Sequence, residues 1–360
     1  MIIKIYQTFI IKKFLKNIFI FSFIFSILGF LMGIMEELKF FSGFGESYLL
    51  PIILTFLNIP SLIYQVFPFI VLLSIFFLFL DLAEKNELLA FKNNGLNNFK
   101  ILRLITVTTF FVGIFMITIF YHLTAELKSN YLNIKKNFTN DNKYLAAITE
   151  NGLWIRDEYN NQIIFVNAKT IMPNKLIEVD MTILDKDFQY LKSIKAPEID
   201  ITNTNWHIDN ATITNKRNIL TKEEKLNFKT NFDFEKINNL YSDLSALSIW
   251  ELQKLKKDYF DVGYSTTDID YQFNKIFTYP IYITIISIFS VVFMVNLKRL
   301  DNKIFVLFLG IFTSVVIYYL NNFFGIIGKS EKIPLVVSIW APLLILFMIS
   351  SIGVVKINDK

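Results

Sequence analysis

The chain has 360 residues, 53% of them hydrophobic, with 39 Phe and a mean hydropathy of +0.45. Apolar residues crowd both ends and charged residues crowd the middle, which excludes an ordinary soluble enzyme, a disordered chain and a fibrous one. There is no Cys, and His122 and His207 are the only two His, so disulfides, thiol nucleophiles and His-rich metal centres are excluded too; the net charge of +5 makes no case for nucleic acid.

A membrane span needs about 20 mostly apolar residues. In chain order the charge-free windows are Ile18–Met35, Ser61–Leu80 and Leu104–Leu123, then Ile276–Leu297, Ile304–Gly328 and Ile333–Val355. The first window is too long for a signal peptide and has no small-residue cleavage site, so it reads as a retained span. Before it, Lys4, Lys12, Lys13 and Lys16 among Ile, Phe and Leu predict a basic N-terminal helix lying on the membrane. A plain positive flank is the competing reading. The expected parts are residues 1–124 (the interfacial helix and spans one to three), an insert at 125–270, and 271–360 (spans four to six).

Between spans two and three, Leu82–Lys100 reads LAEKNELLAFKNNGLNNFK. A short amphipathic helix is expected at about 84–97, starting near Asn86. Leu88, Leu89 and Phe91 form its apolar face, and Gly95 ends it. Such a helix serves either as the docking element for a cytoplasmic ATPase or as an ordinary interfacial loop helix.

The insert reads mainly as β-structure. Short apolar runs at Lys143–Thr149, Leu153–Arg156, Gln162–Ala168, Leu176–Leu184, Glu198–Ile201, Trp206–Ile213 and Leu226–Phe232 are broken by Asn, Asp and Lys. Seven or so strands at this spacing predict a sandwich or jellyroll. Trp154, Ile164, Phe165, Trp206 and Phe228 are expected in its core or groove. A connecting helix is expected at about 248–262, opened by a capping box at Ser248 and Glu251. The fold class is therefore membrane α-helical, six transmembrane helices with an inserted all-β periplasmic jellyroll-like domain.

Lys and Arg in the short loops set orientation. Lys85, Lys92, Lys100, Arg103, Lys298, Arg299 and Lys303 lie on the side of both termini. Both termini are thus expected in the cytoplasm and the insert outside it. There is no phosphate-binding Gly-rich loop, no G-x-S-x-G and no H-E-x-x-H. No catalytic residue, metal or cofactor is expected, and a partner would supply any energy.

Glu87–Leu96 resembles the ELxAxxxxGL segment of the lipopolysaccharide-export permeases, the LptF/LptG family. Gly152-Leu-Trp-Ile-Arg-Asp157 with Ile163–Val166, Leu247–Leu252, Tyr271–Pro280, Tyr318–Gly325, Ile333-Pro334 and Trp340–Pro342 resemble that family in order and spacing. The GLWIRD and LSIWEL segments are most similar to the LptG branch. The resemblance implies an ABC-transporter permease, itself not an enzyme, in the bacterial inner membrane. It implies a cytoplasmic ATPase dimer, a sister permease of the LptF type, periplasmic jellyroll bridge proteins and lipopolysaccharide as partners. Glu87 would meet a basic residue of the ATPase, with Leu88, Leu89, Phe91 and Gly95 completing the coupling segment. Lys39, at the outer end of the first span, would face lipid phosphate. Lys128, Lys135 and Lys136 are candidates for further charge contacts, and Trp154 and Phe165 for the acyl chains. The rivals are a permease for another lipid or lipoprotein and a sensor with an outer ligand-binding domain. The first normally has four spans, and the second needs a cytoplasmic signalling domain of about 100 residues, which the loops do not hold.

Overall fold

A computed structural model describes residues 5–42, 49–136, 138, 153–160, 162–172, 174–216, 219–234, 237, 243–261, 265–297 and 303–358. The chain divides into two compact units, residues 1–128 with 270–360, and residues 129–269.

The first unit is helical. Its elements are α1 (Ile5–Phe41), α2 (Leu49–Glu84), α3 (Glu87–Asn93) and α4 (Asn98–Phe115). A π-helical turn (Met116–Phe120) joins α4 to α5 (Tyr121–Lys136). After the second unit come α7 (Thr267–Asn296), α8 (Lys303–Lys329) and α9 (Leu335–Asn358). Among the described residues six stretches are long and apolar enough to cross a membrane, and each overlaps one of the six windows. At 1.5 Å per residue, the 37 residues of α1 reach about 55 Å, well beyond a hydrocarbon core of about 30 Å.

The basic N-terminal segment reads as a surface helix or as a plain flank of the first span. Lys12, Lys13 and Lys16 belong to the same unbroken helix as the first span. No Gly or Pro interrupts residues 5–28, so the sequence offers no reason to break the hydrogen-bond ladder there.

The helical core centres on α2. Ile70, Val71, Leu72, Ile75, Phe76 and Leu78 are buried, with Ile283, Ile286 and Val291 of α7 in the same cluster. Small residues permit close helix approach. A Cβ built on Gly113 of α4 would lie 2.7 Å from Pro280 Cα in α7, and one on Gly310 of α8 would lie 2.9 Å from Leu73 of α2. Tyr279 donates its hydroxyl to the Tyr64 carbonyl at 2.9 Å, a free acceptor because Pro68 in α2 lacks the N–H that would take it. The Tyr64 and Tyr279 rings stack at 4.6 Å.

Among the described residues the second unit holds one six-stranded antiparallel sheet in sequential order. Its strands are β1 (Leu153–Tyr159), β2 (Gln162–Met172), β3 (Lys175–Asp185), β4 (Tyr190–Asp200), β5 (Asn205–Asn215) and β6 (Leu220–Lys229). The inserted β domain is as expected. Its topology among the described residues is an up-and-down meander rather than the two-sheet sandwich inferred from strand spacing. Each connection is a short hairpin, and spacing alone does not distinguish a meander from a Greek key. The run Lys143–Thr149 lies outside the described residues.

Period-2 burial decides the faces. Leu153, Ile155, Ile164, Val166, Met181, Ile183, Trp206 and Ile208 form the core. Trp206 is fully buried and donates its indole N–H to the Phe232 carbonyl at 2.8 Å. Asp157 shares the buried face. Its carboxylate accepts from the Thr230 hydroxyl, from Asn231 N at 3.0 Å and from Asn231 Nδ2 at 2.9 Å, which satisfies an otherwise costly buried charge. α6 (Ile249–Asp261) opens with the expected capping box. Ser248 N donates to Glu251 Oε2 at 2.7 Å and Glu251 N to Ser248 Oγ at 3.3 Å.

Candidate functional site

The short helix α3 is built by the Asn- and Gly-rich chemistry around it. Asn86, at φ 55°, turns the chain out of α2, a backbone region that Asn tolerates better than most residues. At the other end Gly95 has φ +74°. Its N–H bonds to the Lys92 carbonyl and that of Leu96 to the Phe91 carbonyl, both at 3.0 Å. This is a Schellman cap, and it needs a residue that accepts positive φ. Asn97 then caps α4 by accepting from Lys100 N at 3.0 Å.

Of the expected apolar face, Leu88 and Phe91 pack on the helical core. Leu89 does not, and stays 62% exposed. Phe91 meets Phe9 of α1 edge-on at 6.2 Å. A groove of about 620 Å³ opens between α1 and α3, lined by Ile5, Tyr6, Phe9, Ala90, Phe91 and Leu96 among others.

The charges around α3 are tightly organised. Lys13 of α1 lies 2.5 Å from Glu87 Oε2 and 2.7 Å from Asp81 Oδ2 of α2. Lys85 holds the other Asp81 oxygen at 2.7 Å. Lys13 also lies 4.5 Å from the Phe9 ring centroid, within cation–π range. Glu87 thus has a partner inside its own chain. Sequence reasoning placed Lys13 in a basic helix on the membrane or a plain positive flank, and passed over Asp81. The available signal was a basic N-terminal segment and an acidic span end expected on the same side.

The lipid-facing candidates differ in exposure. Lys39 is exposed in the last turn of α1. Lys128 is half-buried. Lys135 is 1% exposed, its ammonium donating to the Tyr131 hydroxyl at 2.8 Å over that ring, so its charge is turned inward. The side chain of Lys136 lies outside what is described. In the β unit Phe165 is half-buried. Trp154 is not in the core. It is 58% exposed while Leu153 and Ile155 are buried, because period 2 puts it on the opposite face from its neighbours. No group of three or more His, Asp or Glu able to hold a metal occurs among the described residues.

The model of the lipopolysaccharide export system permease LptF/LptG family matches residues 8–356. The chain belongs to this family. No curated protein matches it. Membership makes the chain a permease subunit of an ABC transporter for lipopolysaccharide export, a multi-pass membrane protein and not itself an enzyme. In a permease of this kind, α3 is a structured element between two spans, fixed by a cap at its C-terminal end and by an ion-paired base, with Leu89 left outward.

Proposed function

We propose that this permease lies in the bacterial inner membrane with α3 in the cytoplasm and the β unit in the periplasm, and that it belongs to the LptG branch. It pairs with a sister permease of the LptF type and two copies of an ATPase. It extracts lipopolysaccharide and passes it along its β unit to periplasmic jellyroll bridge proteins. The supporting observation is α3 itself. A seven-residue helix is too short to be stable alone, yet it is capped and clamped, and it keeps Leu89 exposed beside an apolar groove. That combination suits docking. Leu88 and Phe91 hold the helix on the bundle, Leu89 and the groove face the ATPase, and Gly95 sets the turn. Glu87 contributes through the Lys13 cluster and offers a carboxylate to a basic residue of the ATPase.

The Lys and Arg asymmetry of the short loops supports the orientation. A β unit carrying lipid would shield acyl chains whose exposure costs about 0.8 kcal/mol per CH₂, with half-buried Phe165 and exposed Trp154 as contacts. Lys39 and Lys128 supply charge for lipid phosphates. The decisive experiment is affinity purification of the full chain in mild detergent. An ABC ATPase and a second permease of the same layout should co-purify; recovery of the chain without either overturns the reading.

A further inference from the structure

Among the described residues, the backbone ladder is interrupted in four spans of the helical unit, and the interruptions share one depth. Pro68 lies sixteen residues before the end of α2 at Glu84, Pro280 sixteen before the end of α7 at Asn296, and Pro342 sixteen before the end of α9 at Asn358. In the third span the π-helical turn opens at Met116, eighteen residues after the start of α4 at Asn98. At 1.5 Å per residue each break is about 24–27 Å from the helix end on the α3 side. Pro60 in α2 lies about two turns further out.

Each proline withholds the N–H that would bond to the carbonyl four residues earlier, which belongs to Tyr64, Ile276 and Ser338 in turn. The π turn shifts the ladder by one residue, with Tyr121 N bonding to the Met116 carbonyl. Side chains join the breaks. Tyr279, next to Pro280, donates to the Tyr64 carbonyl at 2.9 Å. The Tyr64 ring stacks on Tyr279 at 4.6 Å and meets Tyr121 at 5.3 Å. Gly113 lies so close to Pro280 that a Cβ there would be 2.7 Å from its Cα. A cavity of about 200 Å³ borders the same layer, with Tyr64, Pro68, Tyr279, Asn321 and Ser338 in its wall.

We infer that the helical unit bends at this layer, the four interrupted spans flexing together so that their outer halves move as one block against the halves on the α3 side. A single proline kinks one helix, and a straight neighbour would resist further bending. Here four weak points adjoin, so no interrupted span obstructs another. The bond lost at Tyr64 is replaced by a hydroxyl from the next helix, the way membrane helices tolerate a break, and a side-chain donor can follow a bend that a backbone donor cannot. Thr284 Oγ1 bonds back to the Pro280 carbonyl at 2.6 Å and Ser338 Oγ to the Leu335 carbonyl at 2.7 Å, contacts that also bend helices. Packed interiors change between discrete arrangements, and the cavity supplies space for a second one. α1 and α8 contain no Pro and stay outside the bending group. The layer itself needs no partner. Its use in moving lipid rests on the export reading above, in which an ATPase acting on α3 pulls the ends of α2 and α4.

The test is double electron–electron resonance on the full-length permease in nanodiscs, with nitroxides on paired Cys in this Cys-free chain. Phe56→Cys of α2 with Val336→Cys of α9 reports the outer halves, and Phe111→Cys of α4 with Ile352→Cys of α9 reports the α3 side; all four positions are exposed. The outer distance distribution should be at least twice as wide as the α3-side one, or split in two. Pro280→Ala with Pro342→Ala restores two backbone donors. It should narrow the outer distribution to the α3-side width and leave the α3-side distribution unchanged. Tyr279→Phe removes the hydroxyl tie and should widen the outer distribution further. Equally narrow distributions with every Pro in place overturn the bending layer without recourse to a variant. So does an outer distribution that stays wide once both prolines are replaced. Failure of co-purification with an ATPase would instead overturn the export reading, whatever the distances show.

Discussion

Lys13 and Glu87, 74 positions apart, are joined at 2.5 Å, and the same ammonium holds Asp81 at 2.7 Å. One cation thereby ties the first helix to the end of the second and to the base of α3. Lys13 is 19% exposed and Glu87 26%, so solvent screens the pair only in part. Removing either partner should cost about 1–3 kcal/mol, above the value of a fully exposed pair. Glu87→Lys should reduce ATPase co-purification. The reciprocal double variant Lys13→Glu with Glu87→Lys separates two causes. Recovery assigns the effect to the in-chain pair. If recovery instead requires charge reversal on the ATPase, the effect belongs to the partner contact.

Orientation is testable because the natural chain has no Cys. Single Cys at exposed Lys225 of β6 and at exposed Lys92 of α3 should label from opposite sides of the inner membrane. Lys225→Cys should react with an impermeant maleimide once the outer membrane is permeabilised, and Lys92→Cys only after inner-membrane lysis. The reverse pattern inverts the topology.

Gly113→Val places carbon where α4 already meets the backbone of α7, at 2.7 Å from Pro280 Cα. Backbone cannot rotate away as a side chain does, so overpacking should cost about 1–3 kcal/mol. Thermal unfolding in detergent should show a lowered midpoint, with Gly113→Ala less affected.

The two tryptophans of the sheet should behave differently. Trp206→Ala empties a fully buried position and strands a bonded carbonyl, and should cost about 3–5 kcal/mol. Trp154→Ala, at an exposed position, should stay within about 0.5 kcal/mol. If Trp154 contacts lipid, its loss should reduce photo-crosslinking to glycolipid without moving the melting temperature.

Asp200 titrates below the ordinary aspartate value. The Thr202 hydroxyl donates to it at 2.6 Å and Thr202 N at 2.9 Å, with His207 and Lys175 adding favourable charge. A lowered carboxylate pKa contributes stability that is present above the unfolded value, about 3.9, and is lost as pH falls through the folded one. Thr202→Val removes the hydroxyl donor. It should move the Asp200 pKa upward in an NMR titration and shrink the fall in stability on acidification below about pH 4.

The six spans were legible because bilayer thickness imposes a length and a composition that no soluble helix has to meet. The capping box at Ser248 and Glu251 was legible because both partners lie within one turn. So was the end of α3 at Gly95, where one residue type answers one backbone requirement. Alternation marked strands in the insert but left their order open, since a sheet's neighbours are decided by pairing across distant sequence. Trp154 illustrates the same limit: its strand was visible, but the face it occupies was not.

By itself, the sequence determined what is local or repeated: spans, caps, turns and the alternating strands. The tertiary structure decided which distant charges meet. Lys13 was one basic residue of four near the N-terminus, and its position in α1 gives no hint that it faces Asp81 and Glu87. An ion pair needs atoms within about 4 Å, whereas sequence periodicity specifies only a direction around a helix. Packing of the helices converts that direction into a distance, and the distance decides whether a charge is neutralised within the chain or left to bind something else.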